Sequence, residues 1–257
     1  MLVGLRRAIT FLTRVPVRAR VEGPSDLATA LPWFGVVGAL VGAAIGGLYA
    51  LLRLALPPFA SAVIAVAAGA LITGAFHEDG LGDVADAFGG GHDRESVERI
   101  LRDSRQGTFG VLAICAAFVA RVALLGRLPD GRAWIALAAA GALSRGFAVA
   151  VMWLAPRADA SALGASAGAA ARVDQFALGV VVAAALAAAA LGWWPIVAAA
   201  LGLVLTGWMV RLALHKLGGV NGDVLGAVQQ LTEIATLAVV VAVITNGWAL
   251  HGLRVHP

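Results

Sequence analysis

The chain has 257 residues, of which 60% are hydrophobic and 13% charged, with a net charge of +4 and a mean hydropathy of +0.88. A soluble globular domain of this length would carry more charge, so the composition excludes that class and predicts an all-α, polytopic integral membrane helix bundle. The basic residues are spread through termini and connections without interleaved aromatic side chains, so no nucleic-acid partner is expected. We expect residues 1–257 to form a single domain.

The N-terminal segment, residues 1–21, predicts an amphipathic helix on the membrane surface. Leu2, Leu5, Ile9 and Leu12 would share one side of such a helix. Arginines elsewhere in the segment would stay in water beside the lipid headgroups.

Seven apolar segments that are long enough to be membrane spans follow along the chain. They are 31–56, 60–76, 109–125, 133–154, 176–191, 195–214 and 234–250. The number of spans becomes six if one of these segments is re-entrant. Gly38, Gly42 and Gly46 in the first segment would let neighbouring helices approach closely.

Seven spans place the N-terminus and three polar connections, 77–108, 156–175 and 215–231, on the same side of the membrane. These parts of the chain carry 12 lysine and arginine residues, whereas the opposite side carries 4. An excess of lysine and arginine marks the cytoplasmic side. The polar connections are therefore predicted to face the cytoplasm.

The connection after the second span holds the densest group of acidic residues. Eight of the 15 acidic residues lie between Glu78 and Asp103. If the helix of the second span continues here, Asp79, Asp83 and Asp86 have the spacing i, i+4 and i+7 and share one face. Carboxylate oxygens suit Mg²⁺, Mn²⁺ or Ca²⁺ better than zinc. The pattern predicts a divalent metal site, with a solvated polar cap on a membrane helix as the alternative.

Arginines and glycines near the acidic segment predict a phosphate-binding surface. Gly80 and Gly82 would leave room for a phosphate group or a ligand backbone to approach the acidic helix. Arg105 follows soon afterwards, and guanidinium groups bind phosphate oxygens in pairs. A metal site beside arginines is typical of a phosphate or diphosphate ligand.

A second polar segment, 216–223, precedes the last span. Asp223 in this segment is expected either to cap a helix or to join the metal site. Glu233 and Arg145 lie within apolar spans, where an unpaired charge is costly and a functional role is the usual explanation. Because Arg145 is near the middle of its span, we expect it to face the bundle interior.

Taken together, these motifs resemble the cobalamin synthase family, the adenosylcobinamide-GDP ribazoletransferases. The matching segments are FLTRVP (11–16), PWFG (32–35), HEDGLGDVAD (77–86), DSR (103–105), SR (144–145), GG (218–219) and GDVLGA (222–227). Their order and spacing extend over nearly the whole chain. Two positions depart from the family pattern: Asn221 stands where threonine is more usual, and Arg102 stands where lysine is more usual.

The resemblance implies a Mg²⁺-dependent enzyme of the bacterial inner membrane that acts in the last steps of cobalamin biosynthesis. It would join adenosylcobinamide-GDP to α-ribazole or its 5′-phosphate, giving adenosylcobalamin or its phosphate and GMP. We expect Asp79, Asp83 and Asp86, with Glu78, to hold Mg²⁺, and one of these aspartates or Asp223 to accept the hydroxyl proton. The residues expected to bind substrate are Arg102, Asp103, Ser104, Arg105, Arg145, Lys216, Asn221 and Glu233. The lipid bilayer is a further partner, and a homo-oligomer is left open.

Two other functions fit parts of the same pattern. Phosphotransferases that use CDP-alcohols also have an aspartate-rich, glycine-spaced helix, but they carry an Ala-Arg pair after the first Asp-Gly and a longer gap to the last aspartates. A cation transporter would line a path with the acidic cluster, Glu233 and Arg145. The acidic residues, however, cluster at the end of a span rather than at mid-depth.

Overall fold

The computed structural model describes residues 2–158 and 163–247. These residues form twelve α-helices, two short 3₁₀ helices and no strand, which confirms the all-α prediction. The helices are α1 (Leu2–Leu12), α2 (Pro24–Ala28), α3 (Phe34–Leu52), α4 (Pro58–Thr73), α5 (Phe76–Gly90), α6 (Arg94–Leu101), α7 (Thr108–Leu125), α8 (Ala133–Leu154), α9 (Leu163–Ala170), α10 (Val173–Leu191), α11 (Pro195–Leu217) and α12 (Gly222–Thr245).

Six parts of the described chain are long and apolar enough to cross a membrane. They are Pro24–Leu52, Thr108–Leu125, Asp130–Leu154, Val173–Leu191, Pro195–Leu217 and Gly222–Thr245. A seventh crossing is added if α4 and α5 cross as one bent unit. The prediction of six or seven spans is confirmed, although residues 248–250 of the last predicted span lie outside the described residues.

The helix of the second span does not run straight into the acidic segment. Helix α4 ends at Thr73, and α5 begins at Phe76 after a bend of 91°. Between them Gly74 (φ 71°) and Ala75 (φ 57°) are both left-handed. Glycine adopts this conformation at a helix end without a steric penalty, so Gly74 stops α4. Asp79, Asp83 and Asp86 keep their spacing because all three lie within α5.

Close packing of α3 against α8 depends on glycines, as the first span predicts. A Cβ atom at Gly38 would overlap the backbone oxygen of Gly141, and one at Gly42 would overlap the backbone oxygen of Leu137. Helix α8 is the most buried of the candidate spans. The two backbones therefore touch directly, and α8 forms the centre of the bundle.

A Gly42→Ala variant is expected to destabilise the protein by ~1–3 kcal/mol, because the added methyl group forces α3 and α8 apart. Gly47 provides a matched control on the same helix, since a Cβ atom there would meet no atom within 4 Å. Gly47→Ala should leave stability unchanged or raise it slightly, because alanine favours a helix. Thermal unfolding of both variants in one detergent measures the difference, and equal shifts would contradict the packing role.

Helix α1, predicted to lie on the membrane surface, packs against the helix bundle. Ala8 and Leu12 are buried, and Leu5 and Ile9 are partly buried against the core. Leu2, by contrast, is 76% exposed. The predicted apolar side thus exists, but most of it covers the bundle instead of lipid.

Polar connections that are distant in sequence meet at one end of the bundle. Lys216 Nζ donates to the backbone oxygen of Gly91 at 2.7 Å, which joins α11 to the end of α5. Residues 156–158, after α8, pair with Val220 through backbone hydrogen bonds. The N-terminal segment reaches the same end, where Arg14 donates its backbone N–H to α4. The connections predicted to share one side therefore lie together.

Candidate functional site

Three carboxylates from two helices lie close together at this end of the bundle. Asp79 and Asp83 are on α5 and Asp223 is in the first turn of α12, and we call these three residues the acidic face. The two helices approach closely at Gly80, where a Cβ atom would be 2.9 Å from the backbone oxygen of Asp223. The space predicted for phosphate at Gly80 is therefore occupied by α12.

The charges of the acidic face interact with one another. Asp223 is close enough to Asp83 and Asp79 for electrostatic interaction, and Asp83 is similarly close to Asp79 and Asp86. Among the described residues, no lysine or arginine forms an ion pair with any member of the acidic face. Uncompensated carboxylates repel one another, so this arrangement favours binding of a cation.

The cap of α12, one of the two roles that the sequence left open for Asp223, is Asn221. The Oδ1 atom of Asn221 accepts from the backbone N–H of Val224 at 3.0 Å, so Asn221 is the cap of α12. Its Nδ2 atom donates to Asp223 Oδ2 at 2.8 Å. Asp223 is thus oriented by the cap residue and contributes its carboxylate to the acidic face.

Gln106 is a site residue that the sequence reasoning missed. Its Nε2 atom donates to Asp83 Oδ1 at 2.9 Å and so orients this carboxylate. Gly82 is close by, and a Cβ atom there would lie 2.7 Å from Gln106 Oε1 and 2.8 Å from Ile114. Gly82 therefore makes room for Gln106 and α7 instead of a phosphate. The only signal in the sequence is the position of Gln106 directly after the DSR motif.

Asp86, predicted as a catalytic residue and metal ligand, caps the N-terminus of α7. Its Oδ2 atom accepts from the backbone N–H of Gly107 at 2.6 Å, and Oδ1 accepts from that of Gly110 at 2.8 Å. A carboxylate in this position satisfies free N–H groups and interacts favourably with the helix dipole. Both oxygens of Asp86 thus anchor α7 to α5.

An Asp86→Ala variant is expected to lose ~0.5–2 kcal/mol of stability, because two N–H groups of α7 lose their acceptor. Asp174→Ala is the matched control, since Asp174 is also in the first turn of a helix but, among the described residues, its side chain bonds to Arg172 alone. Thermal unfolding compares the two variants. Equal stability of Asp86→Ala and the wild type would show that the capping bonds contribute little.

Glu78, a predicted metal ligand, lies in the bundle interior. Its Oε1 atom accepts from Arg121 Nη1 at 2.7 Å, and both side chains are buried. The ion pair joins α5 to α7. The structure therefore does not bring Glu78 to the acidic face.

Arg145 faces the interior, as predicted, and binds Glu233 instead of lying on the acidic face. Arg145 Nη1 and Glu233 Oε2 are 2.5 Å apart, and the two residues are buried. Ser144 accepts from Arg145 at 3.1 Å, and Gln229 donates to Glu233 at 2.6 Å. Both residues predicted to bind substrate thus belong to a polar network between α8 and α12.

The DSR motif forms a compact, exposed turn beside Gln106. Arg105 donates to Asp103 through Nε at 2.9 Å and through Nη2 at 2.6 Å. These hydrogen bonds hold the pKa of Asp103 at about 2. Ser104 is exposed, and the ion pair that Arg102 forms within the described chain is a long one, 3.5 Å from Glu98. Exposed ion pairs are weak, so Arg102 and Arg105 can exchange their partners for a ligand.

Lys216, also predicted to bind substrate, is bonded to Gly91 at the C-terminal end of α5. An ammonium group at a helix C-terminus interacts favourably with the helix dipole. Lys216 therefore holds the helix that carries Asp79 and Asp83. Like Asp86, Lys216 is not part of the acidic face but stabilises the position of α5, which carries two of its residues.

A protein-only metal cage is absent from the described residues, where no three His, Cys, Asp or Glu side chains are arranged to hold an ion. Glu78 and Asp86 make other contacts, so the predicted four-ligand set is not assembled. Mg²⁺ is nevertheless commonly held by one or two carboxylates together with waters and substrate phosphates. The uncompensated oxygen donors of the acidic face fit that mode of binding.

Fold and site together define an integral membrane protein whose helices carry an acidic site at one end of the bundle. Residues 4–241 match the family model of the Cobalamin-5-phosphate synthases. The chain belongs to this family, which confirms the resemblance seen in the motifs.

Curated relatives cover almost the whole chain. An adenosylcobinamide-GDP ribazoletransferase of Bradyrhizobium diazoefficiens is 39% identical over 249 residues, which are 94% of each chain. One of Sinorhizobium sp. is 40% identical over 249 residues, 90% of this chain and 93% of the relative. One of Azorhizobium caulinodans is 40% identical over 251 residues, 92% and 94% of the two chains. No solved structure matches the chain.

Proposed function

We propose that the protein is an enzyme that transfers the corrinoid phosphoryl group of adenosylcobinamide-GDP to α-ribazole or its 5′-phosphate. The products are adenosylcobalamin or its 5′-phosphate and GMP. Membership of the family and the names of the relatives support this activity. The structural observation that carries the proposal is the acidic face, three neighbouring carboxylates that form no ion pair with a lysine or arginine of the described chain.

In the transfer, the ribazole hydroxyl oxygen bonds to the corrinoid-side phosphorus while the bond from that phosphorus to the GMP oxygen breaks. The hydroxyl proton needs an acceptor. Asp223 suits this role for two reasons. Asn221 donates a hydrogen bond to one of its carboxylate oxygens at 2.8 Å and so orients the side chain. Asp223 also lies beside Asp79 and Asp83, although these two residues belong to a different helix. We therefore assign the general base to Asp223 and ligand roles to the other two aspartates.

Mg²⁺ is the cofactor that we propose, with Asp79 and Asp83 as its protein ligands. Gln106 orients Asp83 and leaves its second oxygen available. When bound, Mg²⁺ would neutralise charge on the diphosphate and on the departing GMP. Two carboxylates with waters and substrate phosphate are sufficient for such a site.

Arg102 and Arg105 are the groups that we propose to bind phosphate oxygens of the substrate. Both are exposed in the connection that reaches the acidic face through Gln106. Arg105 would exchange Asp103 for phosphate, which guanidinium also binds through two parallel hydrogen bonds. We do not assign Arg145 and Glu233 to substrate binding, because the two side chains form an ion pair with each other in the bundle interior.

The transporter alternative has less support than the enzyme. The charged residues that would line its path, Arg145 and Glu233, are paired with each other around a cavity of about 30 Å³. The excess of lysine and arginine supports a cytoplasmic location for the acidic face. The inner membrane of a bacterium is the location that the family resemblance implies.

Purified protein in lipid nanodiscs, supplied with adenosylcobinamide-GDP and α-ribazole 5′-phosphate, is expected to form GMP and the joined corrinoid in the presence of Mg²⁺. EDTA should stop the reaction, and added Mg²⁺ should restore it. Mass spectrometry of both products measures the transfer. Failure of folded protein to form product with Mg²⁺ would contradict the proposed function, whereas product formation in EDTA would contradict only the cofactor.

A further inference from the structure

A small cavity in the bundle interior is the feature that the proposed reaction does not use. It has a volume of about 30 Å³ and lies between α3, α4, α5, α7, α8 and α12. Its lining includes two ion pairs, Glu78 with Arg121 and Arg145 with Glu233. A water molecule needs roughly 10–15 Å³ of such space. The cavity therefore has room for one or two water molecules.

Unpartnered polar atoms are concentrated around this cavity. Within the described chain, four buried side-chain atoms have no hydrogen-bond partner. Three of them, Glu78 Oε2, Arg145 Nε and Gln230 Oε1, belong to side chains that line the cavity. Their residues are 8%, 5% and 2% exposed. An unmade hydrogen bond is costly at such burial, so three in one place call for a common partner.

The chemistry of the three atoms selects the partner. Glu78 Oε2 and Gln230 Oε1 accept hydrogen bonds, and Arg145 Nε donates one. A metal ion would be repelled by Arg145 and Arg121, and an anion would be repelled by Glu78 and Glu233. A water molecule donates two hydrogen bonds and accepts another, which complements two acceptors and one donor.

We propose that one water molecule occupies this cavity and hydrogen-bonds to Glu78, Arg145 and Gln230. It joins α5 to α8 and α12 at the point where the two buried ion pairs meet. Glu78 directly precedes Asp79 in α5. The bound water therefore braces the helix that carries two members of the acidic face.

A density map of the whole protein in lipid, at a resolution that shows ordered water, tests the proposal directly. The expected result is one peak within about 2.7–3.2 Å of Glu78 Oε2, Arg145 Nε and Gln230 Oε1. An empty cavity would overturn the proposal. Side chains that turn to bond each other directly, or a peak surrounded by oxygen atoms alone as for a cation, would overturn it as well.

Stability measurements provide a second test that needs no map. Gln230→Met should lower the thermal unfolding midpoint by about 2–4 °C, since methionine can bond neither to the water nor to Gln229 Oε1, to which Gln230 Nε2 donates at 3.0 Å. The coupling with Glu78, and not the size of this loss, therefore tests the water. Combined with Glu78→Gln, the effect of Gln230→Met should be non-additive, because both residues share the same water. Additive shifts would contradict a shared partner. If Glu78→Gln does not fold, the map of the wild type decides the question.

Thr206 offers the matched control. Its Oγ1 is the fourth buried atom without a partner, and it lines an apolar groove between α8, α10 and α11 instead of the cavity. Thr206→Val is expected to leave stability unchanged or raise it, because it removes a hydroxyl group that has nothing to bond. Equal losses in Thr206→Val and Gln230→Met would contradict a water specific to the cavity.

Discussion

An Asp83→Asn variant is expected to lose turnover by about 100-fold or more while remaining folded and inserted in the membrane. Asparagine keeps the shape of the side chain, and its carbonyl oxygen can still accept the hydrogen bond that Gln106 makes at 2.9 Å. The negative charge proposed to hold Mg²⁺ on the substrate diphosphate is lost. The initial rate of GMP release at saturating substrate measures the effect.

Asp174→Asn controls for the removal of a negative charge in general. Asp174 is exposed on α10 and paired with Arg172, so its variant should keep the wild-type rate. Thermal unfolding of both variants establishes that they are folded. A folded Asp83→Asn protein with the wild-type rate would remove Asp83 from the metal site and leave Asp79 and Asp223 as the candidates.

Local periodicity explains which part of the site could be predicted. The spacing of Asp79, Asp83 and Asp86 depends only on helical geometry, and it survives although the helix begins at Phe76 instead of continuing α4. Asp86 can cap α7 only because the tertiary structure brings the N-terminus of α7 next to α5. Nothing in a one-dimensional pattern places Gly107 beside Asp86, 21 residues away.

The glycines show the same limit. Gly38 and Gly42 were predicted to permit close helix packing, and the structure confirms it for α3 and α8. Gly80 and Gly82 were predicted to leave room for a ligand, yet α12 and α7 fill that room. A missing side chain predicts a close approach, but only the tertiary structure identifies the group that approaches.

The reaction itself came from the family resemblance and not from geometry. An acidic face that pairs with no cationic side chain in the described part of the molecule indicates a bound cation, and nearby arginines indicate phosphate. These observations apply equally to many phosphoryl-transfer enzymes. The corrinoid and ribazole substrates rest on the motif order along the chain and on the relatives that share it.

The position of Arg145 in the middle of an apolar span predicts that its charge needs a partner inside the bundle. The cost of an isolated charge in an apolar span depends only on position along the chain, so this requirement could be read from the sequence. The identity of the partner could not, because Glu233 is 88 residues away. The second buried pair, Glu78 with Arg121, could not be predicted from the sequence either. The pattern instead groups Glu78 with the neighbouring aspartates as a metal ligand.

A Glu233→Gln variant is therefore expected to be strongly destabilised, by ~3–5 kcal/mol. It leaves the buried guanidinium of Arg145 without its counter-ion, while the amide keeps the shape of the side chain. Thermal unfolding in detergent measures the loss. Glu98→Gln is the matched control, because Glu98 pairs with Arg94 and Arg102 on the surface, where such contacts contribute little.

The double variant Arg145→Met with Glu233→Leu separates a structural pair from a substrate-binding one. Removing both charges leaves no buried ion unpaired, so the double variant should be more stable than Glu233→Gln alone. If Glu233 instead contacts substrate, Glu233→Gln should keep its stability and raise KM. An unfolding midpoint equal to that of Glu98→Gln, together with a raised KM, would return Glu233 to the substrate site that the sequence predicted for it.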